Sequence, residues 1–243
     1  MKFSIGSISA IQILKTSHAQ AFSMTIADIS LCDAELIYSD KNLLVFNKKH
    51  GITVIPGRDK NDSLCLRNQI ENVTGEKLFV VHRIDRDTSG IVVFAKNRET
   101  HRLLCRQFEE RLVKKEYLAV VAGKTEAKGV LQKPIYQFGS GRMGVDKRGK
   151  ESVTEFIMVE SFENASVLKV FPHTGRRHQI RVHLFDEGHP ILGDPLYGRN
   201  RPVGGIPRLM LHASRITFTD PDRKTVTFAA NVDKEWDRLI SVI

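Results

Sequence analysis

Cysteine is scarce in this chain. Its 243 residues include only Cys32, Cys65 and Cys105, spaced too widely for a CxxC redox pair or a zinc knuckle, and an odd number does not complete a disulfide framework. A reducing compartment, the cytoplasm, is the expected location. Long apolar runs are missing as well. The longest, such as residues 91 to 95 (IVVFA), have the length of a strand and fall far short of the roughly 20 residues that a membrane helix needs. No internal repeat, low-complexity tract or linker rich in Pro, Gly or Ser interrupts the sequence, so nothing marks a second domain. With 41% hydrophobic and 27% charged residues, disordered, collagenous and disulfide-stapled classes are excluded, and the length is ample for a packed core.

Acidic charge is also in deficit. There are 28 Asp and Glu against 37 Lys and Arg, a net charge of +9, and such an excess attracts polyanions, of which nucleic acid is the commonest. The first 23 residues loosely resemble a secretory signal, with Lys2 before a partly apolar stretch and Ala19-Gln20-Ala21 as a mock cleavage site. Ser4, Ser7, Ser9 and Gln12 dilute that stretch and Lys15 follows it, so export is not expected. Met24 offers a second start, and residues 1–33 read as a poorly defined N-terminal extension before a single domain over 34–243.

From residue 34 the pattern alternates between short strands and a few helices. Leu43 to Phe46, Phe79 to Val81, Ile91 to Ala95 and Tyr117 to Val121 have strand composition, as do the stretches around Val153, Phe156 and Val159 and from Val167 to Phe171. Asn97 stands where an N-cap belongs, ahead of Leu104, Phe108 and Leu112 at intervals of four, which predicts an amphipathic helix. Residues 139–151 (GSGRMGVDKRGKE) read as an exposed loop. Thr174-Gly175 can start a helix carrying Arg176, Arg177 and Arg181 and ending near Gly188, with Arg177 and Arg181 on one face to clamp phosphates. Strands and helices mixed without a regular βαβ repeat predict an α+β fold.

Two stretches carry chemistry. Residues 82–90, HRIDRDTSG, break an apolar pattern between two strands; Asp85 and Asp87 sit there among arginines, so the segment is either a turn with surface ion pairs or the seat of a reactive carboxylate. Residues 174–184, TGRRHQIRVHL, followed by GHPILGDPLYG over 188–198, are either a solvated basic face or a nucleic-acid clamp. His178 and His183 lack the HExxH zinc spacing. Tyr117, in KKEYLAVVAG over 114–123, carries little weight by itself.

Taken together these stretches resemble the RluA-type pseudouridine synthases. HRIDRDTSG is similar to that family's HRLDRxTSG motif, KEYLAVVAG to its KxYxAxVxG strand and TGRRHQIRVHL to its TGRxHQIRxHL helix, and GHPILGDPLYG and LHA follow in the family's order. The likeness covers about residues 34 to 232. Asn47-Lys48-Lys49 stands where Lys-Pro is usual, Ile84 replaces Leu, and Arg177 stands where Thr or Ser is common. The 33 residues in front are too few for the small S4-type RNA-binding module that larger relatives carry.

The resemblance implies a mixed, mainly antiparallel central sheet flanked by helices around an active-site cleft, and an isomerase that converts uridine to pseudouridine in structured RNA, ribosomal or transfer. It implies Asp85 as the catalytic carboxylate, Arg83 beside it to fill the space of an extruded base, Tyr117 against the uracil ring and Arg181 pairing with the carboxylate. Asp87 is assigned to structure and His82 to a local hydrogen bond. Neither a metal nor an organic cofactor has a task in such a reaction. A monomer needing no obligate protein partner is expected, with RNA affinity that falls as salt rises. Two other classes fit the motifs less well: a noncatalytic RNA-binding or ribosome-assembly protein on the same scaffold, and a carboxylate-dependent nucleotide hydrolase.

Overall fold

The computed structural model describes residues 33–57, 64–198 and 205–243. The extension expected over residues 1–33, except Asp33, lies outside the described residues, as does the Met24 start. Ten strands build one sheet in the order β1 (Ala34–Ser39), β2 (Leu43–Lys48), β4 (Ser89–Ala95), β11 (Leu211–Thr219), β5 (Lys114–Ala122), β10 (Ala165–Pro172), β9 (Val153–Ser161), β6 (Lys128–Gln132). β3 (Phe79–Val80) adds to β4 and β12 (Thr225–Ala229) to β11. All its pairings are antiparallel except that of β4 with β11. The described helices are α1 (Leu66–Thr74), α2 (Arg98–Glu109), α3 (Gln179–Asp186) and α4 (Lys234–Ile240). This is the α+β architecture with a mixed, mainly antiparallel sheet that the sequence predicts.

β4 is buried along its whole length, and its alternation supplies two cores, since successive side chains on a strand face opposite ways. Val92 and Phe94 pack with Leu44, Phe46 and the α1 residues Leu66 and Ile70 on one face. Ile91, Val93 and Ala95 pack with Leu43, Val45 and Leu104 of α2 on the other. A third cluster joins β5 and β10 to Ile180 and Leu184 of α3 and Trp236 of α4. Asn97 caps α2 as expected, accepting a hydrogen bond from the Thr100 amide at 2.9 Å, an interaction worth about 1 kcal/mol. Leu112, expected on that helix, lies beyond its end and is exposed.

Two further expectations are corrected. Residues 139–151 are not wholly an exposed loop: Met143–Val145 form β8, which pairs with β7 (Ile135–Gln137), and Met143 is buried. The helix after β10 starts at Gln179 and not at Thr174. His178 adopts a left-handed conformation, φ 56°, and the Gln179 side chain turns back to accept from the Thr174 hydroxyl at 2.6 Å and the Arg176 amide at 3.0 Å. Those bonds hold residues 174–178 as a bent approach, so Arg176 and Arg177 precede the helix, and Arg177 shares no helical face with Arg181. Its guanidinium reaches out to the Gly141 carbonyl at 3.4 Å.

Candidate active site

The segment HRIDRDTSG enters the sheet at β4. Gly90, at φ 110°, lies against Ala213 of β11, and a Cβ there would stand 2.3 Å from the Ala213 carbonyl oxygen. Only glycine permits that parallel approach. Ser89 is fixed beside it. Arg208 donates to its hydroxyl at 2.9 Å, which leaves that hydroxyl to donate to His212 Nδ1 at 2.9 Å, while His212 Nε2 donates to the Ala230 carbonyl at 3.1 Å. Burial drives the His212 pKa down to about 4 and keeps the ring neutral.

The preceding turn is anchored from below. Lys48, wholly buried, donates to the carbonyls of Lys49 (2.8 Å), Ile52 (2.8 Å) and Arg86 (3.0 Å). Burial lowers its pKa to about 7, although the charges of Asp87 and Asp85 oppose the shift. Arg86 and Gly51 exchange two further bonds at 2.9 Å, and the Thr88 amide closes onto the Asp85 carbonyl at 3.2 Å. His82 accepts from the Val93 amide of β4 at 3.0 Å and stacks on Phe108, so its bond is made 11 residues along the chain and not locally as expected. The turn is thereby held between β2 and β4 with the Asp85 side chain projecting into a cleft.

That cleft has a volume of about 270 Å³ and is lined by all four residues singled out from the sequence, Arg83, Asp85, Tyr117 and Arg181. The Asp85 carboxylate is about one quarter exposed and accepts from Arg181 Nη1 at 3.1 Å. His178 Nε2 is 3.9 Å from its other oxygen. Tyr117 rises from β5 where that strand pairs with Ala213; burial, and secondarily the Asp85 charge, push its pKa up. The Arg83 side chain is exposed at the cleft rim.

Arg181 has a stronger partner that sequence reasoning missed. Asp194, with no side-chain exposure, takes Arg181 Nε and Nη2 at 2.8 Å each and also accepts from the amides of Leu196 (2.8 Å) and Tyr197 (3.0 Å). Burial opposes the Asp194 charge, but the paired guanidinium outweighs it and its pKa falls; the Arg181 pKa rises against its own burial for the same reason. The guanidinium also lies 5.2 Å above the Tyr197 ring, and the Tyr197 hydroxyl bonds His178 Nδ1 at 2.9 Å. Arg181 is therefore a bridge, bidentate on Asp194 and offering its remaining nitrogen to Asp85. A buried arginine needs a nearby acid, and GDPLYG supplies Asp194, but nothing local in the sequence marks either residue as buried.

A family model described as RNA pseudouridylate synthase matches residues 42–185, a span that contains Arg83, Asp85, Tyr117 and Arg181. The chain belongs to this RNA pseudouridylate synthase family. Its RluA-type motifs are borne out by similar sequences. It is 34% identical over 231 residues to tRNA pseudouridine synthase C of Pasteurella multocida, covering 86% of this chain and 95% of that protein. It is 38% identical over 202 residues to ribosomal large subunit pseudouridine synthase D of Nitrosomonas europaea, covering 77% of this chain and 58% of that one. The structure superimposes on human RNA pseudouridylate synthase domain containing 1 with a TM-score of 0.72 at 26% identity, over 83% of this chain and 84% of the other. Among the described residues, no helix is long and apolar enough to cross a membrane.

Proposed function

We propose that this pseudouridine synthase isomerises a uridine in transfer or ribosomal RNA with Asp85 as the catalytic carboxylate, and that residues 34–243 form the catalytic unit. The observation that carries the reading is the Asp85 carboxylate itself, open to the cleft on one side and bonded to the buried Arg181 on the other. The reaction breaks the bond between ribose C1′ and uracil N1, turns the detached base, joins C1′ to C5 and releases the proton from C5 to solvent in exchange for one taken up at N1. No electrons enter or leave. A carboxylate can attack covalently or support positive charge on the sugar as that bond breaks.

The surroundings suit this task. Arg181 cannot drift from Asp85 because Asp194 holds it by two further nitrogens, so the ion pair is organised before substrate arrives. Tyr117 offers a flat ring for stacking on uracil, and a hydroxyl whose raised pKa keeps it protonated, as a hydrogen-bond donor or proton relay. A stacked uridine must leave its helix to reach such a cleft, at a cost of a few kcal/mol. Arg83, exposed at the rim, would occupy the vacated stack. The excess of basic charge offsets part of that cost through phosphate contacts.

The test is substitution at Asp85. Asp85→Asn and Asp85→Ala should fold and bind RNA yet form no pseudouridine, measured by mass spectrometry of nucleosides from treated RNA. An active Asp85→Ala protein would remove the assignment. Deleting the gene and mapping pseudouridines across total RNA would identify the substrate by the positions that disappear.

A further inference from the structure

Residues two apart on a strand share a face, so Lys115 follows Tyr117 of β5 into the cleft. The site described above gives it no task. Its ammonium donates to the Thr174 carbonyl at 3.2 Å and lies over Gly175, where a Cβ would come within 3.9 Å of Nζ. An ammonium has three protons to donate. One bond leaves capacity for an incoming acceptor, and among the described residues Lys115 forms no ion pair.

A second cavity, of about 280 Å³, opens beside Lys115 and shares Phe108, Thr174, Gly175 and Arg176 with the first. Arg111, His173 and Glu109 complete its charged lining. Among the described residues, the Arg176 side chain reaches only the Glu151 carbonyl, at 3.5 Å, and His173 is bonded to Glu155 at 3.2 Å. Lys115, Arg176 and Arg111 thus line the second cavity without carboxylate partners among the described residues, and Glu109 is its one acid among them.

We propose that Lys115, flanked by Arg176 and Arg111, seats a phosphodiester of the RNA strand immediately adjoining the uridine held at Asp85. The assignment rests on the cleft being the uridine site. A half-buried cation with no ion-pair partner among the described residues is costly, and a phosphate supplies both the opposite charge and several acceptors. A neutral hydroxyl or carbonyl would accept a hydrogen bond without balancing the charge.

The same arrangement makes binding sensitive to pH. Burial brings the Lys115 pKa down to about 8, and an anion on Nζ raises it again, so phosphate binding takes up a proton and weakens as pH climbs through 8. The titratable and charged groups that line the two cavities with Lys115 are His82, Arg83, Asp85, Tyr117, His178 and Arg181 in the cleft, Glu109 at the end of α2 with Arg111 beyond it, and His173 and Arg176 after β10. His82 is held neutral by burial, with a pKa near 3, the Tyr117 pKa is raised, and the arginines keep their charge throughout.

The experiment is ¹³Cε NMR of lysine-labelled full-length protein, with the Lys115 signal assigned from its loss in Lys115→Arg. Titrations are run alone and with saturating uridine 3′-monophosphate, uridine 5′-monophosphate or uridine. Lys115 should titrate near pH 8 alone, move upward with at least one monophosphate, and stay unmoved by uridine; the effective monophosphate tells on which side of the uridine the phosphate sits. Lys115→Met should bind that monophosphate at least about tenfold more weakly, whereas Lys115→Arg should retain binding and lose its decline between pH 8 and 10. A Lys115 signal indifferent to both monophosphates, an equal shift with uridine, or undiminished binding by Lys115→Met would overturn the proposal. Pseudouridine formation by the same preparation of the unsubstituted protein reads the parent assignment separately.

Discussion

Removing the Asp194 carboxylate is the most direct test of how the site is organised. In Asp194→Ala the Arg181 guanidinium, 2% exposed, keeps only Asp85 as a counter-ion, and the Tyr197 and Leu196 amides lose their acceptor. Breaking a buried ion pair by deleting one partner costs about 3–5 kcal/mol, and for a chain of this size each kcal/mol lowers Tm by roughly 2–4 °C. A fall of roughly 6–20 °C follows, measured by differential scanning calorimetry at neutral pH. Turnover should drop by about two orders of magnitude or more, because an ion pair displaced by about 1 Å no longer supports the reacting groups. The double replacement Arg181→Met with Asp194→Leu separates the two effects: it leaves no buried charge unpaired, so it should recover part of the lost stability while remaining inactive. An Asp194→Ala protein within about 1 kcal/mol of the original stability and with full turnover would refute the account of Arg181 as a guanidinium fixed from behind.

Gly90→Ala places a Cβ 2.3 Å from the Ala213 carbonyl oxygen at a positive φ; urea unfolding should show a loss of about 2 kcal/mol or more, and an unchanged midpoint would contradict the close approach of β4 and β11. His212 binds a proton below about pH 4 when folded but near 6.5 when unfolded. Its contribution to stability is therefore complete above pH 6.5 and is lost as pH falls toward 4, at up to about 1.4 kcal/mol per pH unit. Unfolding curves for His212→Asn should be flatter over that window, and an unaltered slope would sink the assignment.

Much of this molecule follows from local sequence. The apolar run of β4, the Asn97 cap and the strand composition of β5 need only neighbouring residues to be read, and the ordered motifs point to the family without any coordinates. The bend at residues 174–178 was hidden, because Thr174, Arg176 and Gln179 satisfy helical spacing equally well until the Gln179 side chain is seen competing for the hydroxyl and the amide that a helix would otherwise use. Asp194 was hidden for a different reason. A carboxylate in a loop is ordinarily solvated, and only the fold places it, wholly buried, against an arginine 13 residues earlier.

Sequence by itself determined which side chains are available: a basic chain, a carboxylate between two buried strands, a tyrosine on a strand and an arginine in a helical stretch, all set by composition and short-range periodicity. Tertiary structure decided which of them meet. Asp85 and Arg181 are 96 residues apart along the chain, and the contact between them exists because the sheet order carries β4, β11 and β5 side by side while α3 packs its apolar residues onto the core beneath. Charge pairing of this kind depends on distance and on exclusion of water, and neither quantity is a property of the chain until it has folded.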